Sequence, residues 1–290
     1  MIASTINNQN QKTIGQTIKF SGIGLHSGKN SDVIISPNLE NKGIVFIRND
    51  IDKDNIIKAN WKNVTATKLS TTITNKHGVS VSTIEHLMSA LAGMHIDNAL
   101  IYINGPEVPI MDGSSKPFVN LIKKSKIIEQ NLKRKKIKVL REIEVSKSDS
   151  YVKLSPNKQF SINFEIEFDS PLINKQECRL QLLNGNYVSD VCSARTFGFE
   201  KDVNQLRENG FALGGTLENA VVVGDDKVLN KEGLRYKDEF VRHKILDSIG
   251  DLYLAGYPLE GFFYGKKSGH YLNNELLKKL FSNKNNYSLI

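Results

Sequence analysis

The sequence predicts an α+β protein made of two similar halves, and three observations carry that reading. A series of strand-like segments followed by a helix occurs twice along the chain. Each series holds one long helical pattern in which a histidine precedes a glycine at the same spacing, His86 with Gly93 and His243 with Gly250. A charged run, Lys133 to Lys136, separates the two series and sets the expected division at 1–131 and 132–290. A length of 290 residues suits two domains of ordinary size.

The first half opens on strand-like segments rich in β-branched and alternating residues. They are Thr17 to Phe20, Asp32 to Ile35, Gly43 to Ile47 and Leu69 to Thr74. A glycine-rich turn, Gly22 to Gly28, interrupts them. A helix is expected from Ser82 to about Ala92, where Ile84, Leu87, Met88, Leu91 and Ala92 make one apolar stripe. A strand at Ala99 to Ile103, a turn at Met111 to Ser114 and a short helix near Lys116 to Lys124 follow. The second half repeats the order with strands at Ile137 to Leu140, Tyr151 to Leu154 and Phe160 to Phe168. A looser stretch from Cys192 to Asp225 is rich in Gly and Phe. A helix at about Asp238 to Leu254, a strand at Gly261 to Tyr264 and a closing helix at Asn273 to Phe281 complete it.

Composition narrows the function classes. The formal net charge of +8 suits an anionic partner such as a phosphorylated small molecule, nucleic acid or a membrane surface. Part of that charge reflects a general abundance of Lys, Asn and Ile. Two cysteines, Cys178 and Cys192, form no CxxC pair, which fits a reduced cytoplasmic protein. Met1 to Gly15 is polar and lacks the apolar core of a signal peptide. No apolar run reaches the ~20 residues that span a bilayer. The chain is therefore expected to be cytoplasmic and without a transmembrane segment; a monomer is expected as well, although composition does not determine it.

Common catalytic signatures are absent: there is no HExxH and no GxSxG. Gly22 to Lys29 is too long by one residue for a phosphate loop, and Asn30 stands where Ser or Thr is required. Two helices supply the chemistry instead. His86 lies about 200° from Ile84 around its helix, away from the apolar stripe. Glu85 beside it has two readings, a capping box with Ser82 or a general base. His243, Asp247 and Asp251 stand four residues apart and form one row on their helix, opposite Ile245, Ile249 and Leu252. That row is either a solvated His–Asp face or half of a metal site. Zinc catalysis needs three protein ligands and an open position, and His86, His243 and Asp247 would supply them. If the two halves pack helix to helix, those faces meet in an interdomain cleft. His270 follows a flexible Ser268–Gly269 turn, and Phe197 and Phe199 flank Gly198. His26, His77 and His95 fit none of these groupings.

The motifs then compose a family pattern. Thr83 to Leu87, Pro109 to Ser114, Ser193 to Phe199, Phe240 to Asp247, Ile249 to Leu252 and Lys267 to His270 follow one another in order over nearly the whole chain. Together they resemble the UDP-3-O-acyl-N-acetylglucosamine deacetylases. The resemblance implies two layered α+β domains with their helices packed between the sheets. It implies Zn2+ held by His86, His243 and Asp247, with Glu85 as general base. It makes His270 a general acid or charged partner oriented by Asp251, and Thr196 an aid to holding the oxyanion. Lys244 and Lys267 match substrate contacts, Lys267 towards the diphosphate, and Phe168 matches an aromatic that packs on uracil. Phe197 to Asp225 corresponds to an insert forming a passage for the acyl chain, with Ala212 and Thr216 where relatives can carry Cys and Ser. The expected reaction is hydrolysis of the N-acetyl group of an acylated UDP-aminosugar, the committed step of lipid A synthesis. Two rivals are a zinc amidase acting on another acetylated sugar and a basic nucleic-acid-binding protein without catalytic activity.

Overall fold

The computed structural model describes residues 9–182 and 185–290. The first eight residues of the polar Met1 to Gly15 segment lie outside the described residues, as do Leu183 and Asn184. Five strands of the first half form one sheet: β1 (Ile18–Ile23), β2 (Asn30–Pro37), β3 (Ile44–Arg48), β4 (Ile56–Lys58) and β5 (Ala99–Ile103). Their order across the sheet is β1-β2-β5-β3-β4, antiparallel except for the β3–β5 pair. Five strands of the second half form another: β6 (Ile143–Lys147), β7 (Ser150–Ser155), β8 (Ser161–Glu167), β9 (Lys175–Gln181) and β10 (Phe262–Lys266). Their order is β6-β7-β10-β8-β9, again with one parallel pair, β8–β10. The same strand order, with its parallel pair in the same place, appears in both halves.

Many of the strands alternate, whereas the central Ile44–Arg48 and Ser161–Glu167 are buried almost throughout. In β5, Ala99, Ile101 and Ile103 point inwards while Leu100 and Tyr102 are half-buried, the two-residue period of a pleated strand. Two helices of the first half, α1 (Glu85–Gly93) and α2 (Lys116–Lys124), and two of the second, α3 (Glu239–Tyr253) and α4 (His270–Phe281), fill the space between the sheets. α1 packs on α2 and most extensively on α3; α3 packs on β8, β9 and α4, and α4 on β6 and β7. Apolar residues of both halves belong to one continuous buried cluster. A helix enclosed on several sides must be buried all round, and α3 is: His243, Asp247 and Asp251 are as buried as Ile245 and Ile249.

Several short strands escape the sequence reading because their alternation is weak. Asn10–Ile14 pairs with Ile127–Lys133, and both are largely polar. Leu259–Glu260 and Tyr287–Leu289 were also missed; they flank Ile137–Val139, a strand that the sequence does suggest. Thus the charged run begins as the end of one strand, at Lys133, and leads into the next at Ile137.

The start of α1 corrects one sequence reading. The helix begins at Glu85, not Ser82, and its cap residue Ile84 makes no side-chain cap. Ser82 is engaged elsewhere: its N–H donates to the Pro106 carbonyl and its carbonyl accepts from Val108 N. Thr83 then takes φ of 54° and donates its hydroxyl to Glu107 Oε1 at 2.8 Å. The capping box does not form, so the Glu85 carboxyl is free to face the interior.

The α1–α3 contact is close enough to require glycine. A Cβ at Gly250 would overlap the Glu85 carbonyl oxygen and lie 2.9 Å from its carbon. Its counterpart Gly93 would meet the Tyr187 ring in the same way. Gly250→Ala is expected to destabilise the fold by about 1–3 kcal/mol through overpacking. It should also lower turnover, because the displaced backbone is that of Glu85. Thermal unfolding and turnover measured on one preparation check both.

Candidate active site

The side chains that the sequence singled out from α1 and α3 meet where these helices cross. His86, His243 and Asp247 each offer one ligand atom, and all three atoms lie within 4.8 Å of one another. Asp247 Oδ1 sits 3.5 Å from His86 Nε2 and 3.3 Å from His243 Nε2. The imidazoles meet edge to face with centroids 5.0 Å apart. All three residues are buried. His243 Nδ1 lies 3.1 Å from the Ala194 carbonyl, which fixes the ring with Nε2 towards the cluster. Burial, joined by the charges of His86 and Lys244, outweighs Asp247 and lowers the His243 pKa to about 3, so its imidazole is neutral and able to ligate.

The donor set fits a metal ion. Asp247 Oδ1 and His86 Nδ1 are buried without hydrogen-bond partners among the described residues. An unpaired carboxylate oxygen in the interior is costly unless a cation completes its shell. Burial alone would raise the Asp247 pKa, but His243 and Lys244 hold it well below the usual carboxylate range. Lys244 Nζ approaches Asp247 Oδ2 at 2.6 Å, leaving Oδ1 as the free oxygen. Two imidazoles and one carboxylate are the protein donors that a catalytic zinc site uses.

Beside this cluster stands a second group. His270 Nδ1 lies 2.8 Å from Asp251 Oδ2, and His270 Nε2 lies 3.8 Å from Glu85 Oε1. His270 is the first residue of α4, not a loop residue. A helix N-terminus disfavours a cation, and so does burial. The carboxylates of Asp251 and Glu85 overcome burial and push the His270 pKa up to about 9. Glu85 is moved upwards as well, because burial outweighs the charges of His270 and His86. Asp251 is held by three donors: His270 Nδ1, Asn273 Nδ2 at 2.8 Å and the Thr71 hydroxyl at 2.6 Å.

The remaining sequence-predicted residues divide by position. Thr196 donates its N–H to the Gly113 carbonyl at 2.8 Å, which ties it to the turn at Met111 to Ser114. Gly113 has φ of 83°, and a Cβ there would overlap the Asn219 carbonyl, so this turn needs glycine. Phe168, Phe197 and Phe199 cluster, with Phe168 5.6 Å from Phe197 and 5.7 Å from Phe199, and Phe197 lies 6.3 Å from the His243 ring. Ala212 and Thr216 belong to a loop whose residues Leu213 and Gly214 pack on the turn at Gly24 to Gly28 of the other half. Lys267 is paired rather than free, at 2.7 Å from Glu167 Oε2 and 3.2 Å from Asp149 Oδ2.

Two residues near the site were not read from the sequence as functional. His26, left unassigned, faces Ala212 N at 3.4 Å and sets its ring edge-on to Phe211. Burial lowers its pKa against the charge of Glu107, and His270 and His86 lower it further. Its position in the glycine-rich turn was the available signal. Thr71 had no signal beyond a Thr-rich segment, because its role depends on a turn and not on a period.

Enclosed histidines and an aspartate with metal-ligand geometry, adjoining a glutamate and a His–Asp pair between two α+β halves, define a hydrolase with a candidate metal centre. The profile of the LpxC family, UDP-3-O-acyl N-acetylglycosamine deacetylase, matches residues 11–282. The chain belongs to this family. It is 50% identical to the UDP-3-O-acyl-N-acetylglucosamine deacetylase of Acidithiobacillus ferrooxidans, over 93% of this chain and 89% of the relative. It is 44% identical to the deacetylase of that name from Shewanella violacea and covers 92% of it, with 97% of this chain aligned. For the Neisseria gonorrhoeae deacetylase of the same name the identity is 43%, over 97% of this chain and 92% of the relative.

Proposed function

We propose that this chain is a zinc-dependent hydrolase that removes the N-acetyl group from UDP-3-O-(3-hydroxyacyl)-N-acetylglucosamine, releasing acetate and the free amine. The observation that supports this reading most is the convergence of His86, His243 and Asp247 beside Glu85 and His270. A metal ion bound there would polarise the acetamide carbonyl and lower the pKa of a water molecule. Glu85 then takes a proton from the attacking water. Charged His270, held by Asp251, faces the developing oxyanion and supplies the proton that the departing amine needs. Thr196 completes the oxyanion's surroundings. Lys244 and Lys267 contact the substrate, and Lys267 must exchange Glu167 and Asp149 for the diphosphate. Phe168 stacks on the uracil. Phe197, Phe199, Ala212 and Thr216 line the acyl passage. Residues 1–131 and 132–290 are the two domains, the enzyme acts as a monomer in the cytoplasm, and the step belongs to lipid A synthesis. No described helix is long and apolar enough to cross a membrane.

Removing the metal with a chelator is expected to abolish acetate release, and one equivalent of Zn2+ should restore it. His86→Ala and Asp247→Ala should each lower zinc occupancy, measured by metal analysis of the purified protein. Full activity in metal-free protein would remove the metal from the mechanism. Comparing UDP-N-acetylglucosamine with and without the 3-O-acyl chain separates this enzyme from an amidase for another acetylated sugar. Equal rates on the two would support the latter.

A further inference from the structure

Thr71 belongs to a segment that the sequence reads as a strand, Leu69 to Thr74, but only Thr72–Thr74 is one. Leu69 takes φ of 64°, and the chain turns so that Ser70 and Thr71 enter the interior. All three polar groups of Thr71 are then spent on the site and its helix. Its N–H donates to Glu85 Oε2 at 3.0 Å, its hydroxyl donates to Asp251 Oδ1 at 2.6 Å, and its carbonyl accepts from Ile84 N at 3.4 Å. It is 2% exposed, so water does not compete for these bonds.

The two carboxylates that Thr71 holds come from different halves of the chain. Glu85 starts α1, whereas Asp251 lies on α3 and grips His270 of α4. The 3.8 Å separation between Glu85 Oε1 and His270 Nε2 therefore spans the boundary between the halves. Among the described residues, Thr71 is the one that hydrogen-bonds both carboxylates, through the far oxygen of each. Hydrogen bonds to both oxygens fix the Asp251 carboxylate more tightly than bonds to one oxygen alone. His270 and Asn273 hold Oδ2, and the Thr71 hydroxyl holds Oδ1.

We propose that Thr71 is a positioning residue of the deacetylase: through one backbone N–H and one hydroxyl it sets Glu85 and the Asp251–His270 pair at their working separation across the two halves. The proposal rests on the roles assigned above to Glu85, Asp251 and His270. Thr71→Val keeps the shape and the N–H bond to Glu85 and removes only the hydroxyl. Thr71→Ser keeps the hydroxyl and loses a methyl group.

Zinc-loaded full-length enzyme is the material for the test. Thr71→Val is expected to lower kcat about 10–100-fold, the range for losing an outer hydrogen bond to a site. KM should stay within about 2-fold and zinc content should be unchanged. Thr71→Ser should recover most of the lost kcat. In the Asp251→Asn background, Thr71→Val should cost little more, because the two act through one bond. Wild-type kcat in Thr71→Val, equal damage in Thr71→Ser and Thr71→Val, or fully additive costs in the double variant would each overturn the proposal. A readout free of turnover comes from the His270 Nδ1-bound proton in NMR spectra of metal-free protein. It is expected to move in Thr71→Val and return in Thr71→Ser, and an unmoved resonance in Thr71→Val overturns the proposal. Absence of acetate release by the wild type would instead strike the deacetylase reading, while this resonance still judges Thr71.

Discussion

Glu85→Gln is expected to retain zinc and lose about 10²–10⁴-fold in kcat, the usual cost of removing a general base. KM should change little, since the carboxylate acts on the water and not on substrate binding. The effect on stability should run the other way. Burial raises the Glu85 pKa above its ordinary 4.5. A carboxyl with a raised folded-state pKa supports the fold below pH 4.5 and loses that contribution as pH rises through its folded value. Near neutral pH burial disfavours the charged form, and the neutral amide escapes that penalty. Metal-free Glu85→Gln should melt at or above the wild-type temperature near pH 7. A capped helix start would have predicted a loss of about 1 kcal/mol instead. Turnover, zinc content and melting temperature on one preparation decide the matter. A destabilised variant with normal turnover would return Glu85 to a structural role.

His270→Ala is expected to cut turnover about 10²–10⁴-fold while zinc stays bound. Its pH signature is more specific. Turnover should follow a bell, with the acidic limb marking loss of the Glu85 proton and the alkaline limb loss of the His270 proton near pH 9. The two groups face each other at 3.8 Å, so the limbs report shared macroscopic values. Asp251→Asn removes the largest influence raising the His270 pKa and should move the alkaline limb to lower pH. Stability follows the same linkage. The His270 pKa rises from 6.5 to about 9 on folding, so its ion pair stabilises the protein fully below pH 6.5 and loses that contribution as pH rises through about 9. The melting-temperature gap between wild type and Asp251→Asn should be widest on the acidic side and narrow above pH 9. An unchanged alkaline limb in both variants would remove His270 as the titrating acid.

Periodicity settled the large elements. β5 and α2 have the bounds that the sequence suggested, and α3 differs by a residue at each end. These segments have strong alternation or a full helical stripe, and burial enforces both. The matched spacing of His86–Gly93 and His243–Gly250 also pointed to the repeated architecture, although Gly250 makes room for the Glu85 backbone and Gly93 for the Tyr187 ring. The row at 243, 247 and 251 was legible because four-residue spacing on a helix is local geometry. Burial of that row was not legible. A polar face looks solvated until the opposing helix is known, and only the packing of α1 on α3 covers it.

What remained to tertiary structure was every relation that depends on a turn or on two distant segments. Ser82 looks like a helix cap in sequence, but its backbone is claimed by Pro106 and Val108, which no local pattern foretells. Thr71 reads as one more β-branched strand residue until the left-handed turn at Leu69 sends it inwards. His270 follows what the sequence reads as a flexible turn, yet it opens a helix and faces two carboxylates from different halves. The sequence by itself determined the fold class, the repeated halves and the identities of the candidate metal ligands, because these follow from period and residue chemistry. Tertiary structure decided the partners of His270, the orientation of Glu85 and the hydrogen bonds of Thr71, because burial and hydrogen-bond partners are properties of neighbours that the chain brings together only on folding.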